Sequence, residues 1–222
     1  MNARARAARR PIAAVLAVCT AGWALAVAGP AQAQLGAAIA RVAALQGEAF
    51  VEHFGGRQPG PLSRDSALYR ADTIHTGAGS RLRIAFEDET AVTLGELASL
   101  RITQIAESAQ GGAQNSRLTV LAGTVRFRVR PAPGRALVET WTPTAVAAVR
   151  GTEYIVEVAG PGTAVLVIDG AVAVSNYRPD VRGTVVLRAG EGTSVAPDRP
   201  PQPPSRWGAA RRRAVEDATR LP

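Results

Sequence analysis

The chain has 222 residues, of which 46% are hydrophobic and only 5% aromatic, and its formal charge at pH 7 is +8. All 26 basic residues are arginine, and the net positive charge is concentrated at the two ends, because residues 34–196 hold 16 arginines against 15 acidic residues. This near-neutral middle argues against a nucleic-acid binder, which needs basic charge on its folded surface. Length and composition allow one sizeable domain with an aliphatic core.

The first 33 residues have the parts of a secretory signal. Arginines cluster in residues 1–10, an uncharged run fills residues 11–28, and Ala31-Gln32-Ala33 has the small-x-small pattern of a cleavage site. We therefore predict a signal peptide at 1–33 and a periplasmic, or surface-associated, mature chain. The run is also about long enough for a retained membrane anchor, and the sequence leaves that alternative open. The single cysteine, Cys19, lies in this segment, so the mature chain is expected to lack thiols and disulfides.

From residue 39 to residue 195 the chain consists of short apolar runs separated by Gly, Asp or Asn. Val, Ile, Leu and Thr dominate these runs, and no long stretch keeps the 3.6-residue period of a helix. This pattern predicts an all-β domain over residues 34–196.

Three segments of this domain share one pattern around a central glycine. Apolar residues alternate on each side of the glycine, but the alternation changes phase across it. A straight strand would therefore put its two halves on opposite faces, whereas a bend at glycine, which adopts positive φ without strain, keeps both on one core. The fold predicted is a two-layer β-sandwich or a short solenoid-like stack of glycine-hinged strand pairs; periodicity does not choose between them. The segments are 42–51 around Gly47, 118–127 around Gly123 and 165–174 around Gly170, with a weaker copy at 185–190.

Three further stretches carry local predictions. Alternating apolar residues on both sides of Asp88-Glu89-Thr90 predict a hairpin with a polar tip. Residues 145–149 are apolar in both phases, which predicts a strand buried on both faces. Residues 197–222 are interpreted as a Pro-rich linker and a basic tail, either a short helix or disordered.

Four motifs between residues 70 and 158, in this order, resemble the FecR-like family, the periplasmic domain of iron-dicitrate sensors and anti-sigma regulators. They are Asp72-Thr73-Ile74-His75-Thr76-Gly77, the tip Asp88-Glu89-Thr90 with Glu89 at the usual glycine, the strand 118–127, and the segment 149–156 with Arg150-Gly151-Thr152. The motif residues Asp72, Thr76, Gly77, Gly123, Gly151 and Thr152 are expected to have structural roles in turns and backbone caps.

The resemblance also implies a function. Better-known members join a cytoplasmic sigma-factor-binding segment, one membrane helix and a periplasmic domain that receives a signal from a TonB-dependent receptor. Only ten residues precede the apolar run here, so we expect the periplasmic, protein-facing half alone. The expected function is a non-catalytic interaction or sensing module that binds an envelope protein, such as a TonB-dependent receptor or an anti-sigma regulator, through an exposed strand edge.

Arg126, Arg128 and Arg130 alternate with apolar residues and form a basic ladder on one strand. They are the candidate binding residues for an alternative function, the binding of envelope polysaccharide or another anionic surface polymer. A solvated outer face, or an edge strand protected by charge, explains the same pattern and is the favoured interpretation.

No recognisable set of catalytic or metal-binding residues is present in the sequence. His53 and His75 lack the spacing of metal ligands. The tip at residues 87–89 has three carboxylates that suit calcium or glycosidase chemistry, but adjacent side chains point in opposite directions, which favours a solvated turn. No Ser/His/Asp set or nucleophile motif occurs. We therefore expect no enzyme activity, no metal site and no cofactor.

Overall fold

The computed structural model describes residues 37–55, 58–105, 116–131 and 137–221. The predicted signal peptide lies outside these residues. The described parts form seventeen strands and one helix, and this helix is not long and apolar enough to cross a membrane. The elements are β1 Ala40–Gln46, β2 Ala49–Glu52, β3 Gly60–Pro61, β4 Ala67–Leu68, β5 Thr73–Thr76, β6 Arg81–Phe86, β7 Ala91–Leu94, β8 Ser99–Ile105, β9 Ser116–Arg128, β10 Val138–Trp141, β11 Ala145–Val149, β12 Glu153–Ala159, β13 Gly162–Asp169, β14 Ala171–Asn176, β15 Thr184–Arg188, β16 Glu191–Val195, β17 Ser205–Arg206 and α1 Ala209–Ala218.

The strands form two sheets that share the long strand β9. Sheet A has the order β4-β1-β6-β7-β9-β12-β13-β16-β17. Sheet B has the order β3-β2-β5-β8-β9-β10-β11-β14-β15. All pairings are antiparallel except that of β9 with β10. The predicted all-β fold is confirmed.

The chain passes from one sheet to the other at the glycines that the sequence pattern selected. Gly47 separates β1 in sheet A from β2 in sheet B, Gly123 divides β9 between the sheets, and Gly170 separates β13 from β14. Their φ angles of 77°, 79° and 86° are in the left-handed region. Bent strand pairs therefore stack side by side, and their two arms build the two facing sheets, so the sandwich and the stack describe one arrangement.

The inner faces of both sheets share one hydrophobic core. Phe127 and Tyr154 are fully buried within sheet A, with stacked rings whose centroids lie 5.0 Å apart. The Tyr154 hydroxyl lies 2.7 Å from the Thr140 hydroxyl on β10 of sheet B, so a hydrogen bond joins the sheets inside the core. Burial raises the pKa of Tyr154 above its ordinary value, although the Thr140 hydrogen bond acts in the opposite direction. This phenol is therefore neutral at neutral pH.

Strand β11 corrects one prediction. Ala145, Ala147 and Val149 are buried in the core, but Val146 and Ala148 are only half-buried on the outer face of sheet B. No second layer of described residues covers that face, so the strand is not buried on both sides.

The segment interpreted as linker and tail packs onto the domain. Gln202 donates its backbone N–H to the Ser194 carbonyl at 3.0 Å, and β17 pairs with β16. Helix α1 follows, and its Val215 is buried in a small cluster with Ile155 and Leu166 on the outer face of sheet A. The apolar side chains of Val215 and the adjacent Trp207 are the physical reason why this end of the chain is ordered.

Candidate functional site

The motif threonines join neighbouring hinges. Thr76 donates its hydroxyl to the Gly95 carbonyl at 2.6 Å and accepts the Ala98 N–H at 3.0 Å, which links the β5–β6 turn to the β7–β8 turn. Thr152 donates to the Ala171 carbonyl at 2.9 Å, which links the hinge before β12 to the hinge before β14. These contacts hold the bent strands in register rather than facing a ligand.

Asp72 is fully buried and closes a turn. One carboxylate oxygen accepts the Tyr69 N–H at 2.8 Å, and the other lies 2.8 Å from Nδ1 of His53. The remaining motif residues lie at hinges: Gly77 donates its N–H to the Glu48 carbonyl, and Gly123 and Gly151 have positive φ. Within the described ranges no group of three or more His, Cys, Asp or Glu side chains could hold a metal ion.

The arginine ladder lies on the outer face of sheet A. Strand β9 is central in this sheet, between β7 and β12, so the interpretation of the ladder as a protected edge strand is wrong. Arg126 and Arg128 both bind Oε1 of Glu153, at 2.7 and 2.9 Å, and Arg130 binds Glu89 at 2.8 Å.

Glu153 thus holds two guanidinium groups with one carboxylate. Partial burial raises the pKa of Glu153, but the Arg128 hydrogen bond and the positive charges of Arg126 and Arg128 outweigh it and hold the pKa below its ordinary value. Glu153 is therefore ionised at neutral pH, and it fixes both arginines in position.

A groove of about 230 Å³ lies beside this arginine pair. The sheet register puts Arg83, Thr93 and Arg126 directly opposite one another on β6, β7 and β9. Sequence reasoning missed Arg83, although its alternation with Leu82 and Ile84 in the predicted hairpin already placed it on the outer face. It also missed the contribution of the C-terminal end, and it included Arg130, which does not line this groove. The lining residues are Arg83, Ala91, Thr93, Arg126, Arg128, Glu153, Thr219, Arg220 and Leu221.

Most exposed sheet edges are covered by short segments of the chain. Strand β3 covers β2, β17 and Gln202 cover β16, and β4 with Ser66 covers the first half of β1, whose second half follows a bulge. Strand β15 differs, because in the described part of the chain it pairs only with β14. It runs without a bulge over five residues, and Val186 at its centre is 57% exposed.

A patch of apolar residues lies on the outer face of sheet B next to β15, beside the polar pair Ser175 and Thr184. Ala148, Ala173 and Val186 lie directly opposite one another on three neighbouring strands, and Val146 lies next to them. The matching outer face of sheet A has Ile155 and Leu166 under helix α1. Sheet B has no such cover among the described residues.

These features define an all-β domain of hinged strand pairs with one open sheet edge and one arginine-lined groove. Residues 72–173 match the family model described as FecR protein, so the resemblance seen in the sequence is confirmed over this stretch. No curated protein matches the chain.

Two solved structures from Parabacteroides distasonis, each described as a candidate anti-sigma factor, have a similar fold. They are 19% and 18% identical to this chain, each with a TM-score of 0.50, and 64% of this chain is covered in each case. The chain spans 62% and 63% of their length. At this identity the likeness concerns the fold.

Proposed function

We propose that the chain is an exported, periplasmic sensing module of the FecR type, which acts without catalysis by binding another envelope protein. The family match over residues 72–173 supports a regulatory role. The description of the two similar structures as candidate anti-sigma factors supports the same class of function, signalling across the envelope. A TonB-dependent receptor or an anti-sigma regulator is the kind of partner this role requires.

The open edge of β15 carries the proposal. An unpaired strand edge presents backbone N–H and C=O groups that pair readily with an extended segment of another chain. The other sheet edges are wholly or partly covered or bulged, so the exposure of β15 is specific to this end of sheet B. A partner strand added there completes the hydrogen bonds of β15.

The apolar outer face defines the chemistry of that partner. Val146, Ala148, Ala173 and Val186 offer a continuous apolar surface beside the edge. A partner segment with alternating apolar residues buries these side chains as it pairs, and burial contributes about 25 cal/mol per Å² of apolar area. Burial of these side chains against a partner also explains why the outward-facing residues of β11 are apolar like its inward-facing ones.

The alternative, an anionic surface polymer on the ladder of Arg126, Arg128 and Arg130, has weaker support. Glu153 and Glu89 already neutralise part of this charge through ion pairs. Polymer binding depends on exposed charge and is therefore predicted to weaken steeply with added salt. Strand pairing does not depend on exposed charge and is predicted to persist at high salt.

The test is site-specific photo-crosslinking in envelope extract at low and high salt. A crosslinker at residue 186 should capture one envelope protein at both salt concentrations. A crosslinker at Leu97, which is 65% exposed in the turn between β7 and β8, is the matched control and should not capture it.

A second variant tests whether capture requires strand pairing at the β15 edge or only a partner close to it. Val186→Lys puts a charge at the centre of the edge and should abolish capture by a crosslinker placed at Thr184, while the circular dichroism spectrum stays that of the parent. Equal capture at 186 and 97, or capture that disappears with salt, contradicts the proposal.

A further inference from the structure

We propose that the groove on the outer face of sheet A binds a small ligand through a doubly charged oxyanion group, a phosphate or a dicarboxylate. This site is distinct from the β15 edge, which lies on sheet B.

Small side chains form the floor of the groove. Thr93 lies between Arg83 and Arg126 in one cross-strand row, and Ala91 lies beside Arg128 in the next. Adjacent strands are about 4.8 Å apart, so Arg83 and Arg126 start about 10 Å apart on either side of the floor. Two long guanidinium side chains at this separation reach a single anion between them from opposite sides.

The charge of the groove is strongly positive. Four arginines and one glutamate line it, a formal charge of +3, or +2 when Asp217, which pairs with Arg220 at 3.2 Å, is included. Among the described residues the side chain of Arg83 has no hydrogen bond or ion pair, so its five donors are free to bind an oxyanion.

On the side of the groove opposite Arg83, the guanidinium groups are held in position before a ligand binds. Glu153 accepts from Nε of Arg126 and from Nη2 of Arg128, and its Oε1 also lies 2.7 Å from Nη2 of Arg126, which fixes both guanidinium groups and leaves further N–H donors available. The Arg126 side chain is only 26% exposed, so its bonds to an anion form in a partly desolvated setting, where they are stronger than in water. Fixed donors bind with less loss of entropy than mobile ones.

Residues 219–221 line one part of the groove. This segment is held in place, because Arg81 donates from Nε to the Ala218 carbonyl at 3.2 Å and Thr219 is buried. A volume of about 230 Å³ suits a small ligand better than a long polymer. The ligand is therefore expected to be a free small molecule.

The test is calorimetric titration of the purified full chain with inorganic phosphate and, separately, with malonate, in chloride at matched ionic strength. Saturable one-site binding of either anion is expected, and the anion that binds more tightly identifies the oxyanion as phosphate or dicarboxylate. Absence of saturable binding by both anions overturns the proposal.

Arg83→Gln provides the decisive variant, because it removes a charge without breaking any contact of the fold. It should weaken binding about tenfold, the loss expected for a charged hydrogen bond. Arg64→Gln makes the same change in charge at an exposed turn outside the groove and should leave the affinity unchanged. If both variants weaken anion binding equally, the anion is attracted only by the general positive charge of the protein, and the proposed site is overturned. Val186→Lys should not alter anion binding, so this inference and the proposed function fail independently.

Discussion

Glu89 shows how a single residue can keep a family turn without the family's glycine. It lies at the tip of the β6–β7 hairpin with a φ of 64°, in the left-handed region that glycine adopts without strain. The turn is held by Asp88, whose carboxylate accepts the Thr90 N–H at 2.9 Å, and by the Glu89 N–H bonded to the Phe86 carbonyl. The turn geometry is therefore preserved at a cost in backbone strain.

Glu89→Gly is expected to stabilise the protein by about 0.5 kcal/mol. It removes roughly 1 kcal/mol of left-handed strain, offset in part by the greater freedom of glycine in the unfolded chain. The lost ion pair with Arg130 contributes little, because both side chains are about two-thirds exposed. Urea unfolding measures the change, with Glu87→Gly as a control that should destabilise; a loss of stability in Glu89→Gly would contradict the interpretation.

At the scale of the element, β9 carries the central feature of the fold. Its first half belongs to sheet B and its second half to sheet A, and Gly123 makes the crossing. A Cβ atom at Gly123 would lie 2.6 Å from the Cα atom of Ala98, so both the φ angle and the space require glycine. The phase change of apolar residues predicted this bend, because only a bent strand keeps both halves on one core.

Gly123→Ala should therefore destabilise the domain by about 3 kcal/mol or more, from left-handed strain together with backbone overlap. Gly160→Ala is the matched control, since Gly160 also has positive φ but nothing lies within 4 Å of its Cβ position. The control should cost only about 1 kcal/mol. Thermal unfolding of both variants tests this, and similar losses would mean that crowding at the hinge is unimportant.

At the scale of the whole molecule, the two outer faces differ in what covers them. Helix α1 covers sheet A through Val215, whereas the outer face of sheet B remains partly exposed next to β15. The residues that follow this helix line the arginine-lined groove. The C-terminal segment therefore shapes one proposed site and leaves the other open.

Val215→Asp should release α1 from sheet A, because it puts an unpaired charge into a buried apolar cluster. Trypsin should then cleave at Arg211–Arg213 at least about tenfold faster, as expected for a helix that opens locally, while the β domain stays resistant. Ala214→Asp introduces the same charge on the exposed face of α1 and should not change the rate. Equal cleavage of the two variants would show that Val215 does not hold the helix.

The sequence by itself determined the all-β class, the hinge glycines, the β6–β7 hairpin and the FecR resemblance, because periodicity and turn residues act locally along the chain. It also identified Arg126 and Arg128 as outward-facing. Only the tertiary structure decided that β9 is central, that Glu153 pairs with two of its arginines, that Arg83 and Arg220 join the groove, and that β15 is left open. These facts depend on strand order and on contacts between residues distant in sequence, such as Arg81 with the end of α1. Local patterning does not specify strand order, since the same alternation of side chains fits a central strand and an edge strand equally well.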